Sequence, residues 1–224
     1  MHEKETKSLS STLLEIYNKL LNHFGKQNWW PVIGPKKTRR IEIIIGAILT
    51  QNTAWKNVEK AIRNLYEKRM LSKKAILEAE DKDIQNLIRP CGYYRQKAKR
   101  LKEALKKINA RVTRKDLLKI HGIGKETCDV ILLYAYEKPY FVVDAYTKRI
   151  MERLGLIDNA SKKSYNEIQK IFHENLPRDL EIYKEYHALL DELAKNYCKK
   201  KSPLCENCPI LELCSIGKNK AKES

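Results

Sequence analysis

The stretch TRKDLLKIHGIGKETCDVILLYAY, residues 113–136, decides the fold. Thr113 and Asp116 stand at the spacing of a capping box and open a short helix that runs to Ile120. His121-Gly122-Ile123-Gly124 interrupts it. Gly122 and Gly124 allow the positive φ and the close backbone approach that a side chain forbids. A second helix is predicted from Lys125 to Tyr136. Such a hairpin delivers backbone N–H groups at the start of its second helix, where they can meet a phosphate. Many helix turns contain G-x-G, so the meaning of this one depends on what surrounds it.

Upstream, Leu9 to Phe24 places Leu13, Leu14, Tyr17, Leu20, Leu21 and Phe24 at helical spacing, and Gly25 stops the helix. A loop follows with Trp29, Trp30, Pro31, Gly34 and Pro35. Arg39 to Leu49 is apolar on nearly all sides, as a buried central helix would be. Asn52 or Thr53 is expected to cap the next helix, which turns Val58, Ile62 and Leu65 inward. Two short helices are expected over residues 73–79 and 81–89, and Pro90 and Gly92 break the chain. A basic amphipathic helix over residues 94–108 completes the approach to the hairpin.

Downstream, the apolar run Phe141-Val142-Val143 ends at Asp144, at the start of a helix that Gly155 stops. A carboxylate in that place is either an N-cap or an acid–base group. Further helices are expected over residues 162–172 and 178–197. Alternating strands are lacking, so the fold class is all-α.

The formal charge is +17, from 45 Lys and Arg against 28 Asp and Glu. That surplus predicts a polyanionic partner. No apolar run approaches the roughly 18 residues of a membrane span. The N-terminal MHEKETKSLSS is polar and has no apolar core of a secretion signal, so a reducing cytoplasmic compartment is expected.

Cys198, Cys205, Cys208 and Cys214 form a C-x6-C-x2-C-x5-C run near the end of the chain. Four thiolates this close can surround one metal centre. Only one gap is the C-x-x-C of a zinc ribbon, in which two such pairs usually face each other. The uneven spacing suits a [4Fe–4S] cube better, with zinc or disulfides as the alternatives.

Together these features resemble the endonuclease III branch of the helix-hairpin-helix DNA glycosylases. The likeness rests on ILTQNT (residues 48–53), HGIGKET (residues 121–127), VVDAYTKR (residues 142–149) and the cysteine run. It implies two lobes: residues 41–143, with six helices and the hairpin, and residues 1–40 plus 144–216, carrying a [4Fe–4S] cluster. Residues 217–224 would be a basic tail. The active site would lie in the cleft between the lobes. Asp144 would be the catalytic aspartate, and Gly122, Ile123 and Gly124 would bind the DNA backbone, helped by Lys125. Gln51 would fill the space left by a flipped base. The four cysteines would hold the cluster, presenting Lys199, Lys200 and Lys201 to phosphate.

The departures from the family pattern carry information. Bifunctional members place a lysine two residues past the second hairpin glycine, where it attacks the sugar. Here that residue is Glu126, and Lys125 points about 100° away around a helix. His121 replaces the usual proline before the first glycine. The histidine reads as a tolerated surface change; the lost lysine predicts a monofunctional enzyme that hydrolyses the N-glycosidic bond and leaves the strand intact.

The pair Trp29-Trp30, with Trp55 after ILTQNT and GIGKE in the hairpin, is similar to the 3-methyladenine glycosylase subgroup. Trp29, Trp30 and Trp55, with Glu126, would then shape a pocket for cationic alkylated purines such as 3-methyladenine and 7-methylguanine. The rivals are an oxidised-pyrimidine glycosylase/lyase, a thymine–guanine mismatch glycosylase, and a non-catalytic DNA-binding redox sensor. The expected partner is double-stranded DNA containing a damaged base, met by a monomer at the nucleoid.

Overall fold

The structure, a computed structural model, describes residues 8–218. In chain order the α-helices are α1 (Leu9–Phe24), α2 (Arg39–Leu49), α3 (Trp55–Glu67), α4 (Lys73–Glu78), α5 (Asp81–Leu87) and α6 (Tyr94–Lys107). They continue with α7 (Arg114–Leu118), α8 (Lys125–Val130), α9 (Ala145–Leu154), α10 (Tyr165–Asn175) and α11 (Leu180–Asn196). The described residues contain no strand, and none of their helices is long and apolar enough to cross a membrane. The basic tail expected over residues 217–224 lies outside the described residues from 219 onward, and residues 215–218 are helical.

The chain divides into two compact units, one of residues up to Trp29 with those from Pro139, the other Trp30–Lys138. The boundaries differ from the expected 41–143, and packing explains both shifts. Trp30 is only 5% exposed and meets Trp55 edge-on at 5.2 Å and Tyr134 at 5.5 Å, which ties the pre-α2 loop to the second unit. Phe141 stacks on Phe172 at 3.9 Å and meets Tyr183 and Tyr186 edge-on, which ties residues 141–143 to the first.

In the unit built on α1 and α9–α11, Leu13, Ile16 and Leu20 of α1 are buried, and Tyr186 of α11 donates to the Leu13 carbonyl at 2.9 Å. Gln169 donates to the Phe141 carbonyl at 2.7 Å, and the Phe141 N–H donates to His173 at 3.0 Å. The extended segment before Asp144 therefore has its backbone partners within the unit.

In the unit of residues 30–138, α2 is the buried axis, with every residue from Glu42 to Leu49 inside. Glu42 is buried without an ion pair to α2's own first turn: its two oxygens accept the Ile33 and Gly34 N–H groups. Lys97 of α6 is 2% exposed, and its ammonium donates to the carbonyls of Leu49 at 2.8 Å and Cys91 at 2.9 Å and to the Thr53 hydroxyl. Burial pulls its pKa below the usual lysine value. One cation thus ties the end of α2 to the turn before α6.

Three local expectations change. The residue before α3 is Ala54, with no side-chain cap. Asn52 instead takes a left-handed turn at φ 52°, and the Thr53 hydroxyl donates to the Cys91 carbonyl. Of the two hairpin glycines only Gly122 has positive φ, at 81°; Gly124 sits at φ −82° in extended backbone. The second hairpin helix is α-helical only to Val130 and then widens into a π-turn over Ile131–Ala135. Such turns are favoured where packing or function demands an extra residue in a helix.

Candidate functional site

The hairpin is built from α7 and α8. Thr113 and Asp116 form the full capping box that starts α7. Arg114 of α7 grips Asp129 of α8 with two parallel hydrogen bonds, at 2.7 and 2.9 Å, and the Asp129 side chain is fully buried. This bidentate clamp fixes the angle at which the two helices meet. It was legible only as two separate charged residues, because their sequence separation is not a helical one.

Between the helices, the two glycines are needed for different reasons. A Cβ on Gly122 would stand 2.7 Å from Arg100 Nε, and the φ there is left-handed. A Cβ on Gly124 would meet nothing within 4 Å. Gly124 therefore leaves open space in front of the backbone, which is the room a phosphate needs. Lys125 and Glu126 beside it are exposed, and Ile123 is buried. Ile123 acts as the hairpin's anchor; the flanking glycines present its surface.

Gln51 joins the same cluster. Its amide donates to the Gly122 carbonyl at 2.8 Å and the Thr127 hydroxyl at 3.0 Å, and it accepts from Arg100 at 3.1 Å. The turn residue of the sequence reading is thus held against the hairpin by three hydrogen bonds. Entry into a duplex would require exchanging them for bonds to DNA.

Tyr93 was not singled out by the sequence. It is 72% exposed, holds a left-handed φ of 45° and follows Gly92 at φ 62°. Its turn is fastened to the Gln51 loop through Lys97, Thr53 and Cys91. An exposed aromatic held in strained backbone is suited to stacking on a base. The signal in the sequence was Gly92-Tyr93-Tyr94 after Pro90, a turn with a large apolar residue at its tip.

Trp30 and Trp55 meet in this unit beside a cavity of about 190 Å³, which Glu42, Glu59 and Arg63 also line. Trp29 belongs to the other unit.

In that other unit, Asp144 caps α9 with one carboxylate oxygen and keeps the other outside the cap. Oδ1 caps α9 by accepting from the Thr147 N–H at 2.7 Å and the Thr147 hydroxyl at 2.8 Å. Oδ2 faces His187 Nε2 at 3.9 Å, with the carboxylate side chain 18% exposed. His187 of α11 is buried, and burial holds its pKa below the usual imidazole value although Asp144 and Asp191 pull the other way. A neutral imidazole adds no positive charge beside the Asp144 carboxyl group. Trp29 lies edge-on to His187 at 5.6 Å, and Lys195, ion-paired with Asp191, covers the Trp29 ring at 5.6 Å. His187 went unremarked in the sequence because nothing local links α11 to Asp144.

The four cysteines of the run line one small, nearly apolar cavity of about 40 Å³, together with Arg153, Tyr197 and Leu211 among others. All are free thiols, so the disulfide alternative has no pair in the structure. Among the described residues no group of three or more His, Cys, Asp or Glu side chains stands at the spacing of ligands to one metal ion. Burial pushes the Cys208 thiol up to about 11. A thiolate there would therefore require a cationic partner. Arg153 donates to Cys198 Sγ at 3.3 Å and to the Lys199 carbonyl at 2.7 Å, and Arg149 donates to the Cys198 carbonyl at 3.0 Å. These two arginines, four apart on α9, hold the start of the loop; Lys199, Lys200 and Lys201 are exposed beyond it.

Residues 45–178 match the family model described as HhH-GPD superfamily base excision DNA repair protein. A Methanocaldococcus jannaschii protein provisionally assigned as a DNA repair glycosylase is 49% identical, over 90% of this chain and 95% of its own. Endonuclease III of Thermotoga maritima is 31% identical, over 84% of this chain and 88% of its own. The crystal structure of H. pylori 3-methyladenine DNA glycosylase bound to 1,N6-ethenoadenine superposes with a TM-score of 0.71 at 28% identity, over 84% of this chain and 98% of that one. A hairpin with an open glycine backbone, a basic chain and an aspartate heading a helix are thus found in a chain that belongs to the HhH-GPD superfamily of base excision DNA repair proteins, as an endonuclease III-like DNA glycosylase.

Proposed function

We propose that this glycosylase releases alkylated purines from double-stranded DNA by hydrolysis and leaves the abasic strand uncut. The observation that carries the reading is Asp144: one oxygen is spent on the cap of α9 and the other is turned toward a buried, neutral imidazole. Loss of a base builds positive charge on the sugar. A fixed carboxylate stabilises that charge and can orient or deprotonate water. The cap restrains Asp144 to one rotamer, which supplies the positioning that such a role needs. In this reading Gly122, Ile123, Gly124 and Lys125 hold the backbone, while Gln51 and Tyr93 occupy the gap left by the flipped base. Flipping costs a few kcal/mol, and damage lowers that cost.

Glu126 supports the monofunctional mode, because a carboxylate cannot form the Schiff base that strand cleavage uses. Alkylpurine choice is supported by the likeness to the H. pylori enzyme and by the Trp30–Trp55 wall, an electron-rich surface suited to a cationic ring. Trp29 could contribute only from the face that Lys195 does not cover.

The cysteine cavity fits an iron–sulfur cluster in its donor set: four thiols on one apolar site beside Arg153. Cys198, Cys205, Cys208 and Cys214 would hold it. The bound cluster would fasten the C-terminal loop, and its binding energy would be folding energy for that segment. The enzyme would work on nucleoid DNA in the cytoplasm.

The test is a panel of duplexes carrying 3-methyladenine, 7-methylguanine, thymine glycol or a thymine–guanine mismatch, each read with and without alkali. Methylated purines should be released fastest, with breaks only after alkali, and Asp144→Asn should abolish release while retaining damaged-duplex binding. Faster excision of thymine glycol or mismatched thymine overturns the substrate assignment. A second reading, glycosylase with strand cleavage, is favoured by the 31% identity to an endonuclease III. Efficient borohydride trapping of the enzyme on DNA would select it.

A further inference from the structure

The unit of residues 30–138 holds a second concave site, away from the hairpin. A cleft of about 640 Å³ opens between the start of α2, the α6–α7 connection and the end of the π-turn. That is the size of small-molecule sites, roughly 300–1,000 Å³. Its charged lining is Lys36, Lys37, Arg39, Arg40 and Lys73 against a single carboxylate, Glu137. Gln51, which bonds the hairpin, follows the opposite end of α2. Eleven residues of helix separate the ends of α2 by about 15 Å.

The cations are placed where they are least welcome. Lys36, Lys37, Arg39 and Arg40 crowd the N-terminal end of α2, whose aligned peptide dipoles already leave positive charge there. Among the described residues none of these four, nor Lys73, shares an ion pair with a carboxylate. Glu42, the acid in that first turn, has both oxygens committed to the Ile33 and Gly34 N–H groups. Like charges gathered on a concave wall and left unbalanced are stabilised by an anion.

Three of the cations are also fixed in place. Arg39 donates to the Trp30 carbonyl at 3.3 Å. Arg40 Nε donates to the Ala135 carbonyl at 3.2 Å, and its guanidinium lies over the Tyr136 ring at 5.2 Å. Lys73 donates to the Ile108 carbonyl at 2.9 Å. Tyr136 is itself held by a 2.6 Å bond to the Asn109 carbonyl. Beside them, Ile41, Ile44 and Leu105 supply an apolar wall. A rigid aromatic and aliphatic surface next to a cluster of cations matches a ring joined to phosphates.

We propose that this cleft binds nucleotide phosphate, with the phosphates on the α2 cations and the ring against Tyr136 and its aliphatic neighbours. The source is either a free nucleotide or a strand of nucleic acid distinct from the one on the hairpin. The proposal does not depend on the substrate or the catalytic residues argued above.

Titration calorimetry on the full chain tests it, with a nucleoside triphosphate, inorganic triphosphate, a single-stranded octanucleotide and polyglutamate as probes at low salt. Lys36→Glu/Lys37→Glu should weaken nucleoside triphosphate binding at least tenfold, and Gly124→Ala should leave it within twofold. A nucleoside triphosphate that binds as well as or better than the octanucleotide identifies a free nucleotide; the reverse order, still lost in the lysine variant, identifies a strand. Equal affinity for inorganic and nucleoside triphosphate overturns the nucleotide assignment. So does binding of polyglutamate alone, absence of binding, or binding that the lysine variant leaves intact. Unchanged thermal melting of the variant separates loss of binding from loss of fold.

Discussion

Arg114→Met tests whether the clamp between α7 and α8 sets the hairpin. Methionine keeps most of the aliphatic stem and removes the guanidinium. Asp129, with a side chain 0% exposed, then keeps its charge in the interior without the bidentate partner at 2.7 and 2.9 Å. Removing one member of a buried pair costs about 3–5 kcal/mol. Arg114 is 22% exposed, so water reaches the site and the lower end, about 3 kcal/mol, is expected. For a chain of 224 residues this lowers the melting temperature by about 6–12 °C, at 2–4 °C per kcal/mol. The double variant Arg114→Met/Asp129→Leu removes the stranded charge and should recover most of the loss, giving a coupling energy above about 2 kcal/mol in the cycle. Calorimetric melting of the four proteins measures it. Undamaged-duplex affinity at fixed salt should fall in Arg114→Met and return only in part in the double variant, because packing without the clamp does not restore the helix angle. If Arg114→Met melts within 2 °C of the parent, the clamp does not hold the hairpin and the reasoning fails.

The two glycines should separate stability from binding. Gly122→Ala, at φ 81° and 2.7 Å from Arg100, should lower the melting temperature, whereas Gly124→Ala should change stability by less than about 1 kcal/mol and weaken duplex binding; equal melting losses would refute the distinction. Because burial depresses the His187 pKa, the unfolded chain binds the extra proton first, and stability should fall as pH drops below about 6.5. Asp144, Asp191 and Lys195 face this group and Asp191, pushed up by burial, acts in the opposite sense, so the comparison is with His187→Gln, whose melting should depend less on pH between 7 and 5.5. Cys205→Ser should reduce iron and sulfide content and loosen residues 198–214 to proteolysis while sparing the other unit; stoichiometric zinc without sulfide in the parent would exclude the cluster.

The sequence by itself determined the helices that carry an amphipathic period or a local stop. Leu9–Phe24 and Arg39–Leu49 were legible to the residue, because apolar spacing, Gly25 and the turn after Leu49 act over a few residues. The capping box at Thr113, the hairpin and the cysteine run were legible for the same reason: each is a contiguous pattern whose chemistry is local. Tertiary structure alone decided what joins distant segments. Trp30 left the loop it shares with Trp29 because Gly46 leaves room for its indole on α2, with Trp55 and Tyr134 on either side. Arg114 found Asp129, Lys97 found three acceptors at the end of α2 and in the two turns that follow α2 and α5, and His187 came to Asp144 across 43 positions of chain. Gly124 proved to be extended where a positive φ was expected, since the turn needs only one left-handed residue and its neighbour serves by lacking a side chain. Periodicity reports which face of a helix is buried; it carries no information on which helix covers that face, and buried polar pairings are set by that choice.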